Sequence, residues 1–176
     1  YKDRAGLLWI GTSGDGLFKY DPRVDAFSNY HYSLKEIVSR GAIGLRLVFE
    51  DSQGMLWIAK ESLFRYNRFT GKREEVFWSK KGEDRNFVNK IFETADGNIW
   101  IAKEGRGLYR YELTSKNMFG PYLCDGPLTE GENITAFAKD NDGILWAGAT
   151  TQEKSKNGEI YYKIKLWKYD KSNDNF

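Results

Sequence analysis

Few residues of this chain have the types and spacing that catalysis would require. The sequence contains one histidine, His31, within an aromatic segment at residues 28–33, and one cysteine, Cys124, with no histidine near it. A nucleophile or general base works with a positioned partner, and neither residue has one within its own segment. Asp and Glu residues are numerous, but the sequence alone pairs none of them. Structural or surface roles are therefore expected for both residues, and we predict no catalytic site.

Two glycine-containing motifs could hold an ion or a phosphate. Residues 140–143 (DNDG) resemble part of a calcium loop, but placing Gly143 at the sixth EF-hand position puts Ala138 where the first ligand belongs. Residues 105–107 (GRG) precede a predicted strand, whereas phosphate-binding loops lead into a helix. We therefore predict neither a metal nor a cofactor, and interpret the Asp-x-x-Gly segments as turns between strands.

The composition limits the classes of partner. Lys and Arg number 27 against 25 Asp and Glu, and the basic residues are scattered, so a nucleic-acid groove is not indicated. The longest apolar stretches, residues 42–45 and 47–49, are far shorter than the roughly 20 residues that span a bilayer. Membrane attachment is thus expected only through parts of a longer protein outside this sequence. A single cysteine excludes an internal disulfide framework but leaves the compartment open.

The sequence contains four imperfect copies of one repeat. Each copy has a Gly three residues before a Trp, in the segments DRAGLLWIGT, DSQGMLWIAK, ADGNIWIAK and DNDGILWAGA. The tryptophans are Trp9, Trp57, Trp100 and Trp146, at intervals of 48, 43 and 46 residues. A period near 45 residues is typical of a propeller blade of four short strands. Large rings at such positions pack between blades, so we expect these tryptophans to be core residues.

Further segments recur around each Trp strand and complete the blade. An aromatic third strand is predicted at residues 17–20, 63–66, 108–111 and 166–169. Inner strands are predicted at residues 42–50, 87–93 and 134–139, and outer strands at residues 26–32, 73–79 and 118–123. Helical periodicity is absent except at residues 33–40, which could form a helical turn.

The predicted fold is all-β, a propeller fragment of about three and a half four-stranded blades from a seven-bladed propeller. Residues 1–176 would form one continuous segment, with a partial blade at 1–32 and further blades at 42–79, 87–123 and 134–176. The first residues resemble the middle of a repeat, so the chain is expected to be part of a larger protein. Such a fragment exposes blade faces unless further blades or a second copy of the chain cover them.

The fourth copy contains an insertion at residues 151–163. The distance from its Trp to the Tyr of the third strand is 23 residues, against 11, 9 and 11 in the other copies. Along residues 160–167, side chains of two unlike kinds alternate with a period of two, which is typical of a strand with two different faces. This pattern predicts a long hairpin of residues 146–154 and 159–169. Asn157-Gly158 suits a type I′ turn. Tyr161 and Tyr162 would be contact residues on opposite faces.

The motifs of the first copy resemble a known family. The pattern D-x-x-G-x-L-W-I-G-T, followed by G-x-G-L-F-x-Y-D-P and F-x-x-Y, at residues 3–30, resembles the two-component regulator propeller repeat. The resemblance implies seven-bladed propellers, usually two in tandem, followed by an immunoglobulin-like Y_Y_Y domain, a membrane span and a cytoplasmic histidine kinase. It implies a periplasmic sensor of glycan fragments. The sequence departs from the pattern at Ala59-Lys60 and Ala102-Lys103, which replace Gly-Thr, in a shortened loop of the second copy, and in the insertion.

The resemblance therefore predicts an extracytoplasmic sensor that responds to a carbohydrate fragment, with an oligosaccharide as ligand. Two alternatives remain: a propeller enzyme similar to virginiamycin B lyase, which has a related Trp repeat, and a WD-type protein-interaction propeller. In propellers, the loops after the second and fourth strands open on one end, where ligands usually bind. The candidate ligand residues on such loops and on the hairpin are Arg40, Arg85, Asn86, Glu104, Arg106, Asn133, Tyr161 and Tyr162, with Asp15, Glu61 and Glu132 as further loop residues.

Overall fold

The computed structural model describes residues 1–12, 17–29, 47–59, 62–77, 87–104, 106–122 and 133–176. These residues form strands and turns arranged as four antiparallel sheets, which confirms the all-β class. The strands are β1 (Leu8–Gly11), β2 (Leu17–Asp21), β3 (Ala26–Asn29), β4 (Leu47–Glu50), β5 (Leu56–Ala59), β6 (Leu63–Tyr66), β7 (Arg73–Phe77), β8 (Val88–Glu93), β9 (Asn98–Lys103), β10 (Gly107–Glu112), β11 (Met118–Tyr122), β12 (Asn133–Lys139), β13 (Leu145–Lys154) and β14 (Ile160–Lys168).

Each sheet is a meander in chain order, as in a propeller blade. Blade 1 is β1–β3, blade 2 is β4–β7, blade 3 is β8–β11 and blade 4 is β12–β14. Contacts divide the chain into two compact units, Tyr1–Phe87 with blades 1 and 2, and Val88–Phe176 with blades 3 and 4. The number of blades in a complete propeller stays a prediction. The helical turn predicted at residues 33–40 lies outside the described residues.

The Asp-x-x-Gly segments form one recurring turn. In blade 1, Gly6 N donates to Asp3 O at 3.0 Å, and Asp3 N donates to Leu7 O at 2.9 Å. Gly6 has a φ of 82°, a conformation that glycine adopts without steric cost. The Asp3 carboxylate accepts hydrogen bonds from Leu7 N at 2.9 Å and from Trp9 Nε1 at 2.8 Å. The motif therefore closes the turn and fixes the Trp ring, as predicted for a structural turn.

Blades 2 and 4 repeat this turn, and blade 3 varies it. Asp51 accepts a hydrogen bond from Trp57 Nε1 at 2.9 Å, and Asp140 accepts one from Trp146 Nε1 at 2.8 Å. In blade 3 the backbone turn is the same, but Thr94 stands six residues before Trp100 in place of the aspartate. The repeat therefore preserves the backbone turn more strictly than the carboxylate.

The four repeat tryptophans lie on the second strands, β1, β5, β9 and β13, as predicted. Trp9 packs in a core with Leu17 of its own blade and with Leu56, Ile58, Phe64 and Tyr66 of blade 2. In the second unit, Trp100, Ala102 and Leu108 of blade 3 pack with Leu145, Ala147 and Trp167 of blade 4. Burial of such rings between blades contributes apolar stabilisation to each unit.

Blade 4 contains the predicted long hairpin. Strands β13 and β14 pair continuously from Trp146 and Lys168 to Lys154 and Ile160. The predicted type I′ turn is wrong, because that turn needs two residues with positive φ and only Gly158, at 90°, has one. Ser155 N donates to Glu159 O at 2.8 Å, and Gly158 N donates to Ser155 O at 3.0 Å. The hairpin therefore ends in the same turn as each blade, with Ser155 in the position of the aspartate.

Candidate functional site

Four of the eleven candidate ligand and loop residues can be placed with their side chains. Glu104, Arg106, Tyr161 and Tyr162 lie in the described part of the chain, and only the backbone of Asn133, at the start of β12, is described. The remaining candidates, Arg40, Arg85, Asn86, Asp15, Glu61 and Glu132, lie outside the described residues, as do His31 and Cys124.

The turn between β9 and β10 places charged and aromatic groups together. Arg106 is exposed, and its backbone N donates to Lys103 O at 3.2 Å. Glu104 is half-buried in the same turn. Lys103 Nζ lies 5.1 Å from the centroid of the Tyr109 ring. Burial raises the pKa of Tyr109 despite the nearby Arg106, so its hydroxyl stays protonated at neutral pH. The turn therefore holds groups of both charge signs, with the Lys103 ammonium against an aromatic ring.

The hairpin places Tyr161 and Tyr162 on opposite faces, as predicted. Tyr161 pairs across the strands with Glu153, and its hydroxyl donates to Glu153 Oε2 at 2.6 Å. Lys163 Nζ lies 2.8 Å from Glu153 Oε1. Hydrogen bonds from Lys163 and Tyr161 lower the pKa of Glu153, and the Glu153 hydrogen bond raises the pKa of Tyr161. Tyr162 is 69% exposed on the other face.

Sequence reasoning missed a polar cluster that joins blades 3 and 4. Arg110 on β10 forms an ion pair with Asp174 of blade 4, with Nη1 and Oδ1 2.6 Å apart, and its Nη1 also donates to Tyr169 Oη at 2.9 Å. The hydroxyl of Tyr122 on β11 donates to Asp174 Oδ1 and Oδ2, each at 3.1 Å, and the Tyr169 hydroxyl donates to Oδ1. The Trp100 ring lies beneath, 5.9 Å from Arg110 Cζ.

The cluster keeps its tyrosines protonated and its carboxylate charged. Burial raises the pKa of Tyr122 to about 12, and raises that of Tyr169 together with the hydrogen bond to Asp174. Burial opposes ionisation of Asp174, but hydrogen bonds from Tyr169 and Tyr122 and the charge of Arg110 outweigh it and lower its pKa. Each group is engaged by another group of the cluster, so the arrangement is suited to joining the blades.

A second polar cluster joins blades 1 and 2 in the first unit. The Arg68 guanidinium contacts the Asp3 carboxylate of blade 1, and its Nη2 lies 3.0 Å from Glu50 Oε1. Arg4 N donates to Glu50 Oε2 at 2.9 Å, and Arg4 Nη1 donates to the Ser52 carbonyl at 3.2 Å. Buried charges are tolerated when they are paired in this way. Both polar clusters are thus structural.

The sequence does contain a signal for the cluster of Arg110, Asp174, Tyr122 and Tyr169 between blades 3 and 4. The spacing Tyr-Asp-x-x-x-Asp-x-Phe at residues 169–176 places the carboxylate of this cluster five residues after Tyr169, and residues 20–27 repeat the spacing.

Across the described ranges, no group of three or more His, Cys, Asp or Glu residues could hold a metal ion. The same part of the chain contains no helix that is long and apolar enough to cross a membrane.

Comparison with known proteins gives structural relatives only. No family model and no curated protein matches the chain. Among solved structures, the chain is similar to the extracellular domain of BT4673 from B. thetaiotaomicron, which is described as a one-component or a hybrid two-component system. The TM-score is 0.64 and the identity 18%, over 89% of this chain and 20% of that one. The extracellular domain of the hybrid two-component system BT3049 from the same organism matches with a TM-score of 0.60 and 19% identity, over 82% and 18%.

A protein described as a gluconolactonase is also similar, with a TM-score of 0.53 and 15% identity, over 85% of this chain and 55% of that one. The chain spans about a fifth of the length of the solved extracellular domains of BT4673 and BT3049. At these identities the similarity concerns the fold. The fold is that of the extracellular domains of these two-component proteins, which confirms the propeller class that the repeat predicts and agrees with the two-component regulator resemblance.

Proposed function

We propose that this chain is an extracytoplasmic recognition propeller of a two-component signalling protein, and that its ligand is a carbohydrate fragment. The observation that carries the proposal is the shared fold with extracellular domains of two-component systems, together with the repeat motifs at residues 3–30. A periplasmic location follows from the same proposal, because a sensor of external glycans faces away from the cytoplasm.

Two surfaces support a polar, ring-containing ligand. The β9–β10 turn presents the exposed Arg106, whose charge acts on the Tyr109 hydroxyl, and the half-buried Glu104. The hairpin presents the exposed Tyr162, and a Tyr ring combines an apolar face with a hydroxyl, as sugar recognition requires. Tyr161, in contrast, already donates to Glu153 and would contribute its ring alone. We therefore assign the larger share of the affinity to Tyr162 and Arg106.

Calorimetric titration of the chain with neutral, uronic and sulfated oligosaccharides tests the proposal. Binding of at least one class is expected, and Tyr162→Ala or Arg106→Ala should weaken it about tenfold, the usual effect of losing one good contact. Val24→Ala is the matched control, because Val24 is equally exposed but lies in the turn between β2 and β3 of blade 1, away from the loops that follow second strands. Absence of binding by every class would contradict the proposal, and hydrolysis of a sugar lactone would favour an enzyme instead.

A further inference from the structure

The long hairpin of blade 4 concentrates positive charge. Residues 145–168, which form β13, β14 and the turn between them, contain five lysines and two glutamates, whereas the net charge of the whole chain is +2. The two strands are 10 and 9 residues long, against 6 for each of the equivalent strands β9 and β10. A ligand bound on this extension meets a positive potential, which favours an anion.

The packing of blade 4 against blade 3 defines one face of the hairpin. Ala149 of β13 and Trp167 of β14 are buried in one core cluster with Trp100 of blade 3, within the second unit. Successive side chains of a strand point to opposite faces, so every second residue continues this face beyond the core. The residues that do so are Thr151 on β13, and Lys165, Lys163 and Tyr161 on β14. We call this side of the extension the blade-3 face.

The hydroxyl of Thr151 is buried on the blade-3 face. Thr151 is 5% exposed, and its Oγ1 has no hydrogen-bond partner among the residues that the structure describes. A hydroxyl that loses water without gaining a partner destabilises the folded state. Native proteins rarely keep such a group unless a water, an ion or a ligand satisfies it. Thr151 therefore marks a position at which a polar group of a ligand can bind.

The side chains beside Thr151 determine which polar group fits. Lys163 lies directly opposite Thr151, and its Nζ is 2.8 Å from Glu153 Oε1. An ammonium group has three donors, so this ion pair leaves Lys163 able to bind a second anion. Glu153 is engaged at both oxygens, because its Oε2 accepts from the Tyr161 hydroxyl at 2.6 Å. A donor hydroxyl and an ammonium group thus lie together, next to the exposed Tyr161 ring.

We propose that the blade-3 face of the hairpin binds the anionic group, a carboxylate or a sulfate, of an acidic oligosaccharide. The Thr151 hydroxyl and the Lys163 ammonium donate to that group, and the Tyr161 ring packs against the sugar. Lys165, one residue pair closer to the core, adds a second positive charge to the same face. This inference rests on the proposed carbohydrate ligand and specifies the charge of that ligand.

Calorimetric titration of the whole chain with matched charged and uncharged probes tests the inference. The probes are a galacturonic acid tetrasaccharide, its methyl ester and a sulfated tetrasaccharide. An anionic probe should bind at least about tenfold more tightly than the ester, because hydrogen bonds to a charged acceptor are about twice as strong as those to a neutral one. The anionic probe that binds more tightly identifies carboxylate or sulfate as the group recognised.

Thr151→Val separates binding from a structural role. Valine has nearly the shape of threonine but no hydroxyl, so the urea midpoint of unfolding should stay unchanged or rise. The same change, and Lys163→Gln, should each weaken binding of the anionic probe at least about fivefold, because each removes a donor to a charged group. Thr150→Val is the matched control, since Thr150 precedes Thr151 on the opposite face of β13, and it should leave the affinity unchanged.

The possible results distinguish this inference from the proposed function. Equal affinities for the acid and its ester would support a carbohydrate sensor but overturn the anionic ligand. If no oligosaccharide binds, both are wrong. A lower unfolding midpoint in Thr151→Val would show that the hydroxyl is paired within the fold, which would overturn the site whatever the titrations give. Polyphosphate that binds as tightly as the acidic sugar would overturn it as well, because charge alone would then explain the binding.

Discussion

Blades 2 and 3 place an arginine at the same position of the third strand but use it differently. Arg65 in blade 2 donates from Nε to Asp51 of its own blade at 2.8 Å, and both side chains are almost fully buried. Arg110 in blade 3 pairs with Asp174 of blade 4, and is more exposed. Both guanidinium groups lie just under 6 Å from the repeat tryptophan of their blade.

The difference originates in one residue of the first turn. Blade 2 has Asp51 six residues before its Trp, whereas blade 3 has Thr94, whose hydroxyl donates to Asp96 instead. In blade 2, which has the aspartate, the arginine pairs with a carboxylate of the same blade. In blade 3 the Arg110 guanidinium lies 3.7 Å from Glu112 of its own strand and pairs more closely with Asp174 of blade 4. We infer that the residue at this turn position decides whether the arginine stabilises its own blade or joins two blades.

The largest effect is expected from Asp51→Ala. The change removes the acceptor of Trp57 Nε1 and leaves the buried Arg65 without its aspartate, so unfolding free energy should fall by about 3–5 kcal/mol. Urea unfolding measures it. Asp140→Ala is the matched control, because it removes the same turn and Trp contacts from a blade that has the exposed Lys168 in place of arginine. Equal losses of unfolding free energy in the two variants would show that the buried Arg65 does not contribute to the effect of Asp51→Ala.

A smaller loss, about 1 kcal/mol at neutral pH, is expected from Asp174→Asn, since the pair is partly exposed. The pKa of Asp174 is lowered in the folded protein, so its contribution is present above the ordinary carboxyl pKa of about 4 and disappears as the pH falls further. Urea unfolding at pH 7 and pH 3 should show a difference from the wild type that is largest at pH 7 and smaller at pH 3. A difference that persists unchanged at pH 3 would exclude the ion pair as its cause.

Thr94→Asp should make blade 3 behave like blade 2. The new carboxylate gives Arg110 an acceptor within its own blade, so Asp174→Asn should cost less in this background. A double-mutant cycle should give a coupling energy of about 0.5–1 kcal/mol between positions 94 and 174. Asp142→Asn, at an exposed turn position of blade 4, replaces Asp174→Asn in the control cycle. Additive losses at positions 94 and 174 would contradict the comparison between the blades.

The smallest effect is expected at the hairpin tip, where the same turn is exposed. Ser155→Ala removes the hydroxyl that accepts from Glu159 N at 3.0 Å, and global stability should change by no more than about 0.5 kcal/mol. Amide exchange of Glu159 should nevertheless accelerate, because its hydrogen-bond acceptor is lost. Lys156→Ala in the same turn should change neither quantity. A global loss as large as that of Asp51→Ala would mean that the hairpin belongs to the core.

The repeat alone predicts much of the fold because strand and turn signals are local. The Trp register, the Asp-x-x-Gly turns and the alternation along residues 160–167 each depend on neighbours within a few residues, and the structure has the strands and the long hairpin they indicate. The type I′ prediction failed although it was also local. Asn-Gly is a strong signal for that turn, but the Ser155 hydroxyl favours the turn that the blades already use.

The repeat predicts the strand order within each sheet and the place of the tryptophans on the second strands, because both depend on residues that are close together in the sequence. Only the tertiary structure decided which charges meet. Arg110 and Asp174 are 64 residues apart, and Arg68 and Asp3 are 65 apart, so no local pattern pairs them. Their pairing depends on how the neighbouring blades pack within each unit, because a carboxylate and a guanidinium interact strongly only when packing brings them together and removes water.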